Sequence, residues 1–250
     1  QPLAVIGGMG LFTKEIQRAV LEEQADLAVH SLKDLPTDPT AGLTLAAVPE
    51  RGPVADVLVS TKWRSLAELP VGARVATGSP RRRAMLRHRR PDLYLEELRG
   101  NIDTRLRKLQ DRQLDAIILA EAGLVRLNLA DQIAERLDPN WMVPAPGQGA
   151  LGVEVRSGDA AALAAVAELD HVATRRAVSA ERAFLRTFSG ACLQPVGALA
   201  TAATGTTTLC AALLHEGGAW RRDEFMIGPE GDEERLGSEL AKRILLSVSK

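Results

Sequence analysis

The sequence predicts an α/β protein built on parallel sheets and closed by a smaller α+β unit. Three observations carry this. From Lys14 to Leu169, short apolar segments alternate with amphipathic ones, the pattern of strands joined by crossover helices. Within it, Ala116-Ile117-Ile118-Leu119-Ala120 is apolar without alternation, as expected of a parallel strand covered on both faces. After Pro195 the order changes to three strand-like segments and one helix.

Each element follows from local pattern. Lys14 to Gln24 reads as a helix with Ile16, Val20 and Leu21 on one face. Leu27-Ala28-Val29 reads as a short buried strand entering the polar turn His30 to Pro36, and Leu43 to Val48 as another strand. Pro49 to Pro53 reads as a linker. Asp56 to Ser60 and Ala73 to Thr77 are strands. Ser79-Pro80 then opens a helix, Ser at the N-cap and Pro at the first helical position. Leu93 to Leu98 is a strand and Asn101 to Asp111 a helix. Asp138-Pro139-Asn140 and Pro144 to Gly147 break the chain again. Leu151 to Val155 is a strand, followed by helices over Ala160 to Leu169 and His171 to Phe188. The longer helix offers Val178, Phe184, Leu185 and Phe188 to a core. Strands near Val196–Ala200, Thr207–Leu213 and Trp220–Ile227, a turn at Thr204 to Thr208 and a helix from Glu233 to Ser247 close the chain.

The bulk numbers narrow the function. At 250 residues there is room for about two domains. Hydrophobic residues are 46% and aromatics 3%, so the core is aliphatic. The net charge of -1 gives no global field for nucleic acid or an anionic membrane. No apolar run is long enough to span a bilayer and no signal peptide is visible. The two cysteines, Cys192 and Cys210, do not make a disulfide framework and suit a reducing cytoplasm. Cys210, inside a strand pattern, reads as packing. The chain opens on Gln1 directly into apolar Leu3 to Ile6 and reads as lacking the start of its first domain.

Only six of the 31 cationic residues are Lys, and ten arginines fall between Arg74 and Arg107. Four loops follow predicted strands, where open α/β sheets bind ligands: His30 to Pro36, Thr77 to Arg83, Arg99 to Arg105 and Glu121 to Arg126. Thr77-Gly78-Ser79-Pro80-Arg81-Arg82 enters a helix N-terminus with two hydroxyls and two guanidinium forks, an anion site for carboxylate or phosphate alike. Arginines there oppose the helix dipole, so a bound anion or another partner must compensate them. Arg99-Gly100-Asn101 repeats the arrangement, with Arg105 one turn into the next helix facing back. Arg126 reads as a surface arginine. In His30 to Asp34 a cation, a carboxylate and a hydroxyl share a strand end. Asp34 suits acid–base work or stabilisation of a cation, or else an ordinary turn before Pro36. Cys192, in the turn Ser189 to Pro195, is reactive if exposed and inert if buried. No metal-ligand spacing and no phosphate-loop or dinucleotide fingerprint occurs.

These loops together resemble one family. His30-Ser31-Leu32-Lys33-Asp34-Leu35-Pro36 resembles the His-Ser-x-Lys-Asp-x-Pro motif of porphobilinogen deaminases. Arg99-Gly100-Asn101 with Thr104-Arg105-Leu106 is similar to that family's Arg-Gly-Asn-x-x-Thr-Arg-Leu. Gly147-Gln148-Gly149-Ala150 is similar to its Gly-Gln-Gly-Ala segment, and Gly190-Ala191-Cys192 with Pro195-Val196-Gly197 to its cofactor-cysteine loop. Val5 and Met9 stand where lysines are common in the family, and Thr77-Gly78-Ser79-Pro80 replaces its Thr-Ser-Ser-Leu.

The resemblance implies two hinged α/β domains like periplasmic binding proteins and a small C-terminal α+β domain. Domain 1 would comprise residues 1–50 and 147–168, domain 2 residues 54–144, and the third domain residues 171–250. It implies a cytoplasmic, monomeric transferase joining four porphobilinogen molecules head to tail, each losing ammonia, before hydrolysis to hydroxymethylbilane. A dipyrromethane cofactor would be thioether-linked to Cys192. Asp34 would be catalytic, stabilising the positive charge left by ammonia. Lys33, Ser31, Thr77, Ser79, Arg81, Arg82, Arg99, Gly100 and Arg105 would hold the cofactor's carboxylates, with Gln148 at the hinge. Arg126, Arg99 and Arg105 would meet substrate, and no metal is implied. A periplasmic-type ligand-binding protein would share the architecture but have no use for Cys192. A homologue that has lost activity is the reading that Val5, Met9 and the missing start would suggest. A nucleic-acid-binding module would need stacking aromatics, and the arginine-rich stretch has only Tyr94.

Overall fold

A computed structural model describes residues 11–188 and 195–248. Val5, Met9 and Cys192 lie outside the described residues. Helix α1 (Leu11–Leu21) begins and ends three residues before the predicted span. It packs Val20 against Ala28 and Leu43.

The described residues form three sheets. In the first, β1 (Leu27–Ser31) and β2 (Leu43–Ala47) flank β8 (Leu151–Arg156), and both pairings are antiparallel. The second has the order β5-β4-β6-β3-β7, formed by β3 (Asp56–Val59), β4 (Arg74–Ala76), β5 (Tyr94–Glu96), β6 (Ala116–Ala120) and β7 (Glu135–Arg136). The expectation of parallel sheets holds only for β5, β4 and β6, since β3 runs antiparallel to both β6 and β7. The reason lies in what composition encodes. Apart from Asp56 at its head, β3 is apolar and buried like β6, yet the two run oppositely, so an apolar run reports burial on both faces and not direction.

Strand β1 was expected to be buried; instead it alternates, with Leu27 40% and Val29 53% exposed. It is an outer strand of its sheet among the described residues, covered on one face. Helices α2 (Pro80–Arg89), α3 (Ile102–Asp111) and α4 (Glu121–Arg126) follow β4, β5 and β6. Ser79 caps α2, accepting from Arg82 N, and Pro80 sits at its start. Asn101 caps α3, accepting from Thr104 N.

The third sheet is an antiparallel meander of β9 (Val196–Ala203), β10 (Thr206–Leu214) and β11 (Arg221–Pro229). Its hairpin turn is confined to Thr204 and Gly205, because Thr206 to Thr208 already pair. Helices α6 (Val172–Phe188) and α7 (Glu233–Val248) cover one face, with Phe184, Phe188, Leu209, Leu213, Leu240 and Ile244 in the core. A short α5 (Ala160–Val166) precedes them. Leu209 and Ala211 point inward, so strand alternation sends Cys210 to the opposite face. Cys210 is exposed and not the packing residue expected.

Two connections join the first sheet to the second, and they lie side by side. Gly52 N donates to Gly149 O (3.2 Å), Arg51 Nε to Gln148 O (2.9 Å) and Gln148 Nε2 to Val54 O (2.8 Å). Gly149 has φ +85°, and a Cβ there would stand 2.7 Å from the carbonyl oxygens of Gly52 and Pro53, so only glycine lets the two backbones touch. Glu181 of α6, fully buried, binds both connections. It accepts from Arg51 Nη1 (2.6 Å) and Nη2 (2.9 Å), from Gly147 N (2.6 Å) and from Ala200 N of β9 (2.8 Å). Removing one partner of such a pair strands a buried charge. Arg51→Met should therefore cost about 3 kcal/mol, read as a lower urea midpoint at unchanged slope.

Candidate active site

The four strand-end loops converge. Ser31, Lys33 and Asp34, after β1, face Arg82 after β4, Arg105 after β5 and Arg126 after β6 across one cavity of about 200 Å³. Gly123, Gly149 and Ala150 complete much of its wall. The topology produces this: all four loops leave carboxyl ends of strands, and the paired connections hold the two sheets together.

Each side chain is held from behind. The β1 end is fixed by a buried pair, His30 Nε2 to Glu154 Oε2 (3.0 Å), and Gln17 Nε2 also donates to that oxygen (2.8 Å). Burial raises the Glu154 pKa, but His30 beside it and the bond from Gln17 outweigh it and the net shift is downward. Leu32 to Asp34 form a single 3-10 turn, and Arg182 of α6 braces the loop beyond it through Leu35 O (3.1 Å) and Pro36 O (2.6 Å). Arg105 Nε donates to Gly100 O (2.7 Å), and Arg126 Nη2 to Gly149 O (2.7 Å). Arg126 is thus tied to Gly149 of the second connection rather than left free on the surface.

The compensating anion for the two arginines at the α2 start is Asp56. Its Oδ2 accepts from Arg81 Nη2 (2.6 Å), and its Oδ1 from Arg82 Nε (2.9 Å) and Nη2 (2.6 Å) and from Gln148 Nε2 (2.9 Å). Arg81 also donates to Val143 O (2.6 Å) and Arg82 to Ile118 O (3.1 Å). Burial pushes the Asp56 carboxyl up, but Arg81 and Arg82 outweigh it and bring it down to about 2. Burial pulls the Arg81 guanidinium down, against Asp56.

Six of the residues singled out from the sequence line the cavity: Ser31, Lys33, Asp34, Arg82, Arg105 and Arg126. The others stand elsewhere. Arg81 is turned onto Asp56, and Thr77 is fully buried, its Oγ1 accepting from Ser79 N (3.3 Å). Ser79 is occupied as a helix cap, and Arg99 is half-exposed beside Glu97 with Gly100 next to it. Gln148 is buried outside the lining, where the two connections lie side by side. Asp56 and Glu181 were missed. An acid opening the otherwise apolar Asp56-Val57-Leu58-Val59, in a chain with a paired Arg81-Arg82, was the available signal for the first. The second lies mid-helix, where a Glu looks like solvated surface.

The cavity is cationic, and the charge has a working range. Lys33 is lowered to about 8, first by burial and then by Arg82, with Asp34 and Asp56 opposing. Above that pH it loses its charge, so affinity for anionic ligands falls as pH rises through about 8. Titrating citrate binding by melting-point increments between about pH 7 and 9 should show this, and Lys33→Arg should flatten it. Stability moves oppositely: the unfolded lysine holds its proton to higher pH, so folding gains as pH rises from about 8 towards the ordinary lysine value.

Comparison with known proteins gives a consistent match. A family model described as porphobilinogen deaminase, dipyromethane cofactor binding domain, matches residues 1–164, and one described as porphobilinogen deaminase, C-terminal domain, matches residues 175–246. The porphobilinogen deaminase of Syntrophotalea carbinolica is 47% identical over 98% of this chain and 78% of its own length. That of Roseiflexus castenholzii is 48% identical over 98% of this chain and 80% of its own. Among solved structures, the methionine-binding protein MetQ aligns with a TM-score of 0.44 at 16% identity, covering 61% of this chain and 72% of that one. A periplasmic substrate-binding protein from Coxiella burnetii aligns at 0.41 and 17%, covering 61% and 74%.

Proposed function

The chain belongs to the porphobilinogen deaminase family, and on that premise we propose which of its residues carry the reaction. The activity is that of a transferase of tetrapyrrole and haem biosynthesis that uses a dipyrromethane cofactor. Four porphobilinogen molecules are condensed head to tail with loss of ammonia, and hydrolysis releases hydroxymethylbilane. When bound, the cofactor supplies the pyrrole to which the first substrate ring is joined.

One observation supports the assignment of roles above all: Lys33, Arg82, Arg105 and Arg126 face a single exposed carboxylate, Asp34, across one cavity. Pyrroles carrying acetate and propionate need cations for their acids and an acceptor for their N–H groups, so this donor set fits the cofactor. Lys33 and the arginines bind and orient carboxylates, with bidentate forks fixing register, and Ser31 adds a hydroxyl. Asp34 accepts from pyrrole N–H groups and stabilises the positive charge that develops as ammonia leaves. Arg81 acts through Asp56, which aims Arg82. Thr77 and Ser79 shape the loop, Arg99 and Gly100 form the rim, and Gln148 links the hinge to Asp56.

Cys192 carries the cofactor through a thioether, and a reducing cytoplasm suits a thiol that must stay free to react. We take the working unit as a monomer: Lys33, Arg82, Arg105, Arg126 and Asp34 all come to the cavity from a single chain. We assign residues 1–50 and 147–168 to domain 1, 54–144 to domain 2 and 171–250 to a third domain, with the Arg51–Glu181 pair at their joint. Among the described residues no helix is long and apolar enough to cross a membrane.

Intact mass under denaturing conditions tests the assignment. The wild-type protein should exceed its sequence mass by two condensed porphobilinogen units, and Cys192→Ser should not. An unmodified wild-type mass would instead favour a chain without the cofactor, acting as a plain ligand-binding protein.

A further inference from the structure

Outside the residues that line the cavity, two positions before Arg99, stands an acid that no step above uses. Glu97 Oε2 accepts from Arg83 Nη1 (2.7 Å) and its Oε1 from Arg99 Nε (3.0 Å). The carboxylate also hangs over the loop that caps α2, with Oε1 3.7 Å from where a Cβ on Gly78 would stand. Its backbone is pinned independently, with Arg112 Nη1 on Glu97 O (3.1 Å). It therefore occupies a place made for an anion: two guanidiniums beside a helix start bearing Thr77 and Ser79.

We propose that Glu97 is a placeholder carboxylate, holding the forks of Arg83 and Arg99 until a carboxylate of the pyrrole ligand exchanges with it, and so setting the enzyme's affinity for its substrate. The proposal rests on Arg99 meeting substrate. Exposure makes the exchange feasible: the side chains of Arg83, Glu97 and Arg99 are 27%, 41% and 54% exposed. Pairs this wet hold orientation but yield readily to a competing anion. The field of Glu97 also reaches the cavity: it is one of the two acids, after Asp34, that offset the downward pull of burial and Arg82 on Arg105.

The structure separates this role from simple support. Arg83 lies on α2 and Arg99 in the loop before Asn101, which caps α3, so neither needs Glu97 for its backbone position. Freed of Glu97, both side chains still stand on the same backbone, with no partner to give up when substrate arrives.

Glu97→Gln keeps the shape and removes the charge. The KM for porphobilinogen should fall about fivefold, the sum of two exposed ion pairs, with the change in KM rather than in kcat. As a measurement independent of turnover, a fixed citrate concentration should raise the melting midpoint of full-length Glu97→Gln more than that of wild type. Arg99→Gln, measured alongside, should raise KM. If Arg99→Gln raises KM while Glu97→Gln leaves it unchanged or raises it, Glu97 is support and the proposal is overturned, with the assignment of Arg99 intact. If Arg99→Gln leaves KM unchanged, Arg99 does not meet substrate, and the proposal falls together with that assignment.

Discussion

Asp56→Asn is expected to be the most damaging single change to the fold. Asp56 is fully buried and takes three guanidinium bonds from Arg81 and Arg82, both only 5% exposed. The amide can accept on one atom only, so two buried cations lose their common counter-charge. Breaking a buried pair from one side costs about 3–5 kcal/mol, and with two arginines affected the upper end applies. Urea unfolding should show the loss as a lower midpoint, and expression at 37 °C should suffer. The same pair sets an acid limit. The native carboxyl titrates near 2, below its ordinary value of 3.8, so its contribution is complete above about pH 4. It disappears as pH falls towards 2, because the unfolded chain takes up the proton first. Replacing all three residues with aliphatic ones of similar volume should recover stability while losing activity, since Arg82 would no longer line the cavity. If Asp56→Asn costs under about 1 kcal/mol, the typical effect of a single substitution, water must reach the arginines and the site is less enclosed than the structure shows.

That pair also marks where the sequence stops being legible. Segment type was readable nearly throughout, because alternation, the Ser79-Pro80 start and the Asn101 cap are local signals. The apolar run of β6 was placed to the residue. Strand direction was not readable, because β3 and β6 bury the same kinds of side chain while running oppositely. Of the site, the loops that line the cavity were visible, since strand-end position and side-chain chemistry both lie in short segments. What the loops lean on was not. Asp56 lies 25 residues before Arg81, and Glu181 lies 130 residues after Arg51. Both contacts are made by the closing of the chain, and neither leaves a local pattern. Arg81 shows what local reading leaves out: it reads as a helix-start arginine for a ligand, and its fork binds Asp56 and Val143 O. Cys210 was misplaced by one step of alternation, which decides between core and solvent.

Asp34→Asn should abolish most turnover while leaving the protein folded. Asp34 is exposed at the cavity wall, the last residue of a 3-10 turn fixed from behind by the His30–Glu154 pair and from beyond by Arg182, so the substitution disturbs neither core nor cap. The amide preserves size but removes the charge that would stabilise a developing cation. Losing one such electrostatic contact costs about 10²–10³ in kcat, whereas substrate affinity, carried by the cations, should change little at neutral pH. The pH dependence gives an independent check. Asp34 is one of the two acids that raise Lys33 against burial and Arg82, so without it Lys33 should lose its proton below its present value near 8. The rise of KM with pH should then begin earlier in Asp34→Asn than in wild type. A fall in kcat together with an earlier KM rise would place Asp34 beside both the reacting ring and Lys33. If kcat instead stays within about tenfold of wild type, well short of the loss expected for a charge-stabilising group, the positive charge must be met by another acceptor. If the KM profile alone moves, Asp34 tunes the binding cations and does not act on the reacting atoms.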